Sequence, residues 1–283
     1  MSAMSWLIAA ATRINLLEKS SAVNASVAIF DLEDGLAKDA KAQGRQDYLA
    51  AFRARHPSGA RIALRINALS SRWGLQDILF LAEEDAVPDI VILPRCGGAR
   101  EVELVAELLA PLRPAVTIYP VIETLRGLRA LREIAHAPAR LGGFHLGLAD
   151  LSAEIGVPLH RANLDFHRAE FAFAAKSLGV AAIDSPCFRI GDERVLRAEC
   201  ESSLRLGFDG KVAIHPSQVP VINEMFGLTR ADIECAQAIV ARHADDAIVQ
   251  VEGDMTGPPF VRYAEKVLQQ ACSTHRLVED FEQ

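Results

Sequence analysis

The feature that most constrains this chain is a beat of about thirty residues. Short apolar, β-branched runs recur along it, with a polar residue or a proline just past most of them. The runs are WLIAA (6–10), VAIF (27–30), RIALRI (61–66), DIVIL (89–93), VTIYPVI (116–122), LGGFHLGL (141–148), VAAI (180–183) and KVAI (211–214). They are mostly apolar throughout instead of alternating, which is the pattern of parallel strands buried on both faces. From the second run onward the residues past the ends are Asp31, Arg65, Pro94, Glu123, Asp150, Asp184 and His215, at steps of 34, 29, 29, 27, 34 and 31 residues. One strand and its returning helix fill about thirty residues. The intervening segments read as helices. AREVELVAELL sets Val102, Leu104, Val105, Leu108 and Leu109 at helical spacing, and FHRAEFAFAAKSLG closes on a glycine. Eight such units predict an α/β fold of the (β/α)8 TIM-barrel type, and 283 residues hold a barrel of about 250 residues plus a tail. A doubly wound open sheet is the alternative, but no GxGxxG follows the first run.

Composition narrows the function. A net charge of −7 with no Lys/Arg run makes nucleic acid and anionic membranes poor partners. No run reaches the length of a membrane span. The opening MSAMSWLIAAATRINLL lacks a charged n-region and reads as a buried first strand, not a signal peptide. Five scattered cysteines with no CxxC spacing predict reduced thiols and a cytoplasmic protein.

In either architecture ligands bind at the carboxyl ends of the strands. That is where the stretch VAIFDLEDGLAKDAK puts Asp31, Glu33 and Asp34, carboxylates that a buried strand does not need. Glu123 and Asp150 end the fifth and sixth strands, and neighbouring strands lie about 4.8 Å apart, so the two can converge. Two carboxylates completed by water suit Mg²⁺ or Mn²⁺, and no His/His/carboxylate spacing favours zinc. The competing reading is that each merely caps the next helix. Arg65 ends an otherwise apolar strand, where an unpaired charge is costly. It reads as a fork for a carboxylate or enolate oxygen, as a structural ion pair with Asp31 or Glu33, or as both. His215, near Gln218, reads better as a neutral residue bonding the first turn of the next helix than as an acid–base group. Cys187 has no partnered base in sequence and reads as a bland thiol.

Taken in order, the motifs DLEDGLAKDAK (31–41), LRINALSSRWGLQDI (64–78), DIVILPR (89–95), YPVIETLRGL (119–128), LGLADLSAEIG (146–156), AIDSP (182–186), RLGFDGKVAIHPSQVPVINEMF (205–226) and GPPFVRYAEKVL (257–268) resemble the HpcH/HpaI aldolase and citrate lyase β-subunit-like family. The resemblance implies a Mg²⁺-dependent carbon–carbon lyase of aldolase or citrate/malyl type. Such an enzyme acts on a small oxo or hydroxy acid, or on its CoA thioester, through a metal-stabilised enolate. It implies Glu123 and Asp150 as metal ligands, Arg65 as the catalytic arginine that also holds the oxo-acid end, and Asp31 and Asp34 as acids around the metal's waters. The backbone N–H groups at Gly97 and Gly98 are expected to hold a substrate carboxylate.

The chain also departs from that family. Ala10 and Ala11 stand where a Pro–Gly turn is usual, and Arg95 replaces the lysine of LPK. In GDMTGPP, Gly257 stands where many CoA lyases carry a lid aspartate, with Asp254 three residues earlier. Use of a CoA thioester is therefore left open. A malyl-type thioester hydrolase acting by metal-activated water, and a non-catalytic binding barrel, are the alternatives. Segments 67–73, 95–100 and 152–165 are the expected specificity loops. The barrel is expected over 1–228 and a helical extension or lid over 229–283, with Thr229 a candidate N-cap. By resemblance the chain is expected to be a homo-oligomer, a trimer or hexamer, whose only other partner is its small-molecule substrate.

Overall fold

The computed structural model describes residues 4–55, 60–136, 140–243, 248–251 and 254–279. The chain divides into two compact units, one ending at Phe226 and the other beginning at Gly227. In the first, eight parallel strands close into a barrel in chain order: β1 (Ser5–Ala10), β2 (Val27–Asp31), β3 (Arg61–Arg65), β4 (Ile90–Leu93), β5 (Thr117–Ile122), β6 (Gly143–Leu146), β7 (Ala181–Asp184) and β8 (Gly210–Ala213). β8 returns to pair with β1, so the sheet has no edge. The helices are α1 (Leu16–Ala22), α2 (Lys41–Arg53), α3 (Arg72–Glu83), α4 (Ala99–Leu109), α5 (Leu125–Ala135), α6 (Leu148–Glu154), α7 (Asp165–Ser177), α8 (Glu193–Leu206) and α9 (Gln218–Phe226). All eight apolar runs are strands, and the open sheet is excluded.

The strands are apolar on both faces because each face meets a different core. One set of side chains, including Trp6, Ile29, Ala63, Ile92, Tyr119 and Ile183, fills the barrel interior. The intervening residues, such as Ala28, Phe30, Leu64, Val91 and Phe144, join the layer that the helices cover. This period of two decides where the polar residues past the strands point. Counting in steps of two from Ile29, Ala63 and Val121 puts Asp31, Arg65 and Glu123 on the inward side, at the rim. Asp184 follows the inward Ile183 by one and so faces outward. It is fully buried, bonded by Arg168 (2.9 Å), Ser203 (2.6 Å) and Lys211 (3.1 Å). Asp184 ends its strand as Asp31 does, yet it does not face the mouth.

The second unit holds α10 (Arg230–Arg242), an antiparallel pair β9 (Val249–Val251) and β10 (Asp254–Thr256), and α11 (Pro258–Glu279). Thr229 and Asp232 form a reciprocal capping box at the start of α10, and Ala236, Ile239, Ala264 and Val267 form its small core. The β9–β10 pair was not legible in the sequence. No helix among the described residues is long and apolar enough to cross a membrane.

Candidate active site

A cavity of about 420 Å³ opens at the carboxyl ends of the barrel strands, lined among others by Asp31, Asp34, Arg65, Glu123, His145 and Asp150. Each reaches it for a local reason.

Asp31 and Arg65 lie opposite one another in the β2–β3 register. Arg65 donates from Nε to Asp31 Oδ1 (2.8 Å) and from Nη2 to Oδ2 (2.7 Å), and its Nη1 lies 3.2 Å from Glu33 Oε2. Asp31 also accepts the N–H groups of Glu33 and Gly35, both at 2.8 Å. A side chain at position 35 would meet Asp31 Oδ2 at 2.5 Å, so only glycine lets the chain turn here. Lys41 is buried and ties down the same loop, its Nζ donating to the carbonyls of Leu32 and Glu33 at 2.6 Å each. Burial pulls the Arg65 guanidinium down, but Asp31 and its neighbours outweigh that and hold it above its ordinary value. Of the five N–H groups on a guanidinium, three face Asp31 and Glu33. The structural and the functional readings of Arg65 are therefore compatible. The next loop is held by buried Asp77, which accepts from Asn67 N (2.8 Å), Asn67 Nδ2 (2.7 Å) and Arg45 (2.9 Å).

Glu123 is buried just past β5. It does not cap α5, because Thr124 does, accepting from Gly127 N at 3.0 Å. Its Oε1 accepts the N–H of Arg95 at 2.6 Å. Arg95 adopts a left-handed backbone (φ 51°), uncommon outside glycine, to present that N–H. Its guanidinium lies 3.6 Å from Asp150, so one residue contacts both carboxylates. Asp150 lies in the first turn of α6. Ser185 pins the turn that carries it, donating to Leu146 O (2.5 Å) and accepting from Leu148 N (2.7 Å). Gly147, in the same turn, backs onto Glu123: a Cβ there would lie 2.3 Å from Glu123 Cβ and 2.8 Å from its Oε2. Sequence reasoning missed Lys41, Gly147, Ser185 and His145. The period-two count inward from Gly143 to His145 was the one available signal for the last.

Burial pushes Glu123 up to about 7, against the favourable Arg95 N–H and Arg65 charge. Burial pushes Glu33 up to about 8, only partly offset by Arg65. Carboxyl groups outnumber cations at this mouth, and the imbalance fits a divalent cation. Among the described residues no cluster of three metal-ligating side chains exists. A hard-oxygen pair, Glu123 and Asp150, with room for water is the kind of set Mg²⁺ takes, since it usually keeps several waters beside one or two carboxylates.

The expectation at Gly97 and Gly98 meets different geometry. The Gly97 N–H already donates to Glu101 at 2.6 Å, and neither Gly97 nor Gly98 lines the cavity. Glu101 sits in the first turn of α4 and reaches back to the loop before it, which claims the amide. His215 is exposed and bonds Ser217, 2.8 Å from its Oγ and accepting its N–H at 3.2 Å. Cys187 is buried, with its carbonyl accepting from Gln218 at 2.8 Å.

A closed eight-stranded barrel with carboxyl groups and a clamped arginine gathered at one mouth is the frame of a TIM-barrel carbon–carbon lyase, and this chain is of that class. The sequence model of C–C bond lyases of the TIM-barrel fold matches residues 168–273. The chain belongs to the HpcH/HpaI aldolase/citrate lyase family, whose model matches residues 3–216. It is 35% identical over 228 residues to a (3S)-malyl-CoA thioesterase of Cereibacter sphaeroides, covering 80% of this chain and 77% of that protein. It is 30% identical over 292 residues to an L-malyl-CoA/β-methylmalyl-CoA lyase of the same organism, covering 92% of each. Its fold superposes on protein CitE from Mycobacterium tuberculosis, solved with magnesium, acetoacetate and coenzyme A, with a TM-score of 0.80 at 28% identity, covering 96% of this chain and 99% of that one.

Proposed function

We propose that this chain is a Mg²⁺-dependent lyase that breaks or forms a carbon–carbon bond in a small hydroxy or oxo acid, or in its CoA thioester. The observation that carries the reading is Glu123: buried, not used to cap its helix, and lining one cavity with Asp150 and the clamped Arg65. Glu123 and Asp150 would hold the metal, with Mn²⁺ able to replace it. When bound, the metal supplies a Lewis acid for a carbonyl oxygen.

The chain's own residues do the rest. Arg65 aims its remaining N–H groups at the oxygen on which negative charge develops as the bond breaks, and it does so without reorganising, because Asp31 and Glu33 already hold it. Asp31 spends both oxygens on Arg65 and on the loop, so its part is to position. Asp34 is exposed on the cavity wall, where it can bond water around the metal. The apolar barrel interior below shields these charges and strengthens them.

A thioester hydrolase is the second reading, favoured by the likeness to the malyl-CoA thioesterase. The reading also carries a homo-oligomer in a reducing cytoplasm; the described cysteines are all free. The test is a panel of malyl-CoA, citramalyl-CoA, citryl-CoA, oxaloacetate and 4-hydroxy-2-oxo acids, each with Mg²⁺ and with EDTA. Metal-dependent release of an oxo acid is expected. Release of thiol without an oxo-acid product would replace lyase by hydrolase, and metal-independent turnover would remove the proposal.

A further inference from the structure

His145 is a polar side chain set among the apolar residues that fill the barrel interior. It lies on β6, opposite Val121 on one side and Ile183 on the other, both part of that interior. It is 5% exposed, yet it lines the cavity that holds Arg65, Glu123 and Asp150. Its ring is fixed edge-on against Trp6 (4.6 Å between centroids) and Tyr119 (5.6 Å). Its Nε2 is shut off from the cavity and has no hydrogen-bond partner among the described residues, whereas Nδ1 is not enclosed in this way and is the ring nitrogen that a ligand in the cavity can reach. Burial, helped by the Arg65 charge, pushes the imidazole down to about 3, so it is uncharged at neutral pH.

An uncharged imidazole always carries one N–H donor and one bare nitrogen. A packing role would be filled better by leucine or phenylalanine, which leave no polar atom unsatisfied. A role as a Mg²⁺ ligand is not indicated, because that ion takes oxygen ligands and among the described residues His145 joins no group of three metal-ligating side chains. The same burial makes the imidazolium costly and so disfavours a proton shuttle. What remains is recognition at the floor of a cavity whose other floor residues, Ile29, Ile92, Val121 and Val212, offer no hydrogen bond.

We infer that His145 is a specificity-determining residue that touches the substrate, its ring hydrogen-bonding an oxygen of the small oxo acid seated on the cavity floor. The inference rests on the proposed function, which supplies the oxo acid. The edge contacts with Trp6 and Tyr119 fix the ring plane, so the bond selects for the position of the oxygen as well as its presence. An acid with an alkyl group at that position would leave the nitrogen unsatisfied and bind more weakly.

The test is calorimetry on the full chain. Mg²⁺ is titrated first; pyruvate and glyoxylate are then titrated into the Mg²⁺-loaded protein, for wild type, H145F and H145Q. The expected result is an unchanged Mg²⁺ affinity, an oxo-acid affinity about ten- to a hundredfold weaker in H145F, and substantial recovery in H145Q. In ¹⁵N-histidine spectra of the wild type, the His145 ring signals should shift when oxo acid is added; this readout does not depend on the variants folding. Equal oxo-acid affinity in a folded H145F, or His145 signals unmoved by bound oxo acid, would overturn the inference while leaving the lyase reading intact. Wild type that binds Mg²⁺ but neither oxo acid would overturn that reading and this inference with it.

Discussion

Arg65 and Asp31 face each other across adjacent strands and are joined by two parallel hydrogen bonds of 2.8 and 2.7 Å, with both residues at the rim of the cavity. Removing the guanidinium leaves Asp31 buried without its cation. R65A should therefore lose about 3–5 kcal/mol of stability, read by urea unfolding, together with nearly all turnover. R65K keeps the charge but loses the fork. It should fold with a smaller loss and still fall at least about a hundredfold in turnover. Full activity in R65K would show that the charge alone matters.

Glu123→Gln removes a carboxylate that is costly to ionise in the metal-free protein. The variant should melt no lower than wild type in EDTA. It should lose measurable Mg²⁺ binding by calorimetry and at least about a hundredfold in turnover. Unchanged Mg²⁺ affinity would move the metal away from Glu123.

The raised carboxyls give a pH signature. Glu123 at about 7 and Glu33 at about 8 both lie above the ordinary 4.5, so the folded state binds these protons more tightly than the unfolded chain. Their contribution is complete below the ordinary value and is lost as pH rises through 7 and then 8. His145, held down to about 3, acts in the opposite sense, but only below its ordinary 6.5. In EDTA the melting temperature should therefore fall between about pH 6.5 and 8.5, and E123Q and E33Q should each flatten part of the slope. A rising melting temperature over that window would contradict the assignment.

Gly147→Ala tests the wall behind Glu123. The new Cβ would meet Glu123 Cβ at 2.3 Å, so the carboxylate must move. Mg²⁺ affinity should drop by about ten- to a hundredfold, with the barrel still folded by circular dichroism. Normal metal binding in G147A would mean that this contact does not hold the carboxylate in place.

Arg95 has two separable parts. Its backbone holds Glu123 from a left-handed conformation, and its side chain reaches Asp150. R95G keeps the backbone at no steric cost and deletes only the side chain, whereas R95A must also bear the positive φ. R95A should be about 1 kcal/mol less stable than R95G, measured by chemical denaturation. Equal stability would show that the strain is not borne at this residue.

The barrel itself was legible because strands and helices declare themselves in local periodicity. Residues that neighbour each other in sequence share a face, so the eight apolar runs, the span of the helix at Ala99–Leu109 and the Thr229 cap could be read one segment at a time. The ordered motifs further tied Arg65, Glu123 and Asp150 to one chemistry, and all three line one cavity. The site's support was not legible. Asp184 reads like Asp31 in sequence, yet a one-residue difference in strand phase turns it away from the mouth and into a buried network with Arg168 and Lys211. Gly147 looks like any turn glycine until Glu123 packs behind it. Gly97 looked like a free amide until Glu101 claimed it. Sequence alone thus determined which elements form and which residue types stand at the strand ends. Only the closed barrel decided which of those residues meet, because facing and contact depend on strand phase and on packing between segments far apart in the chain.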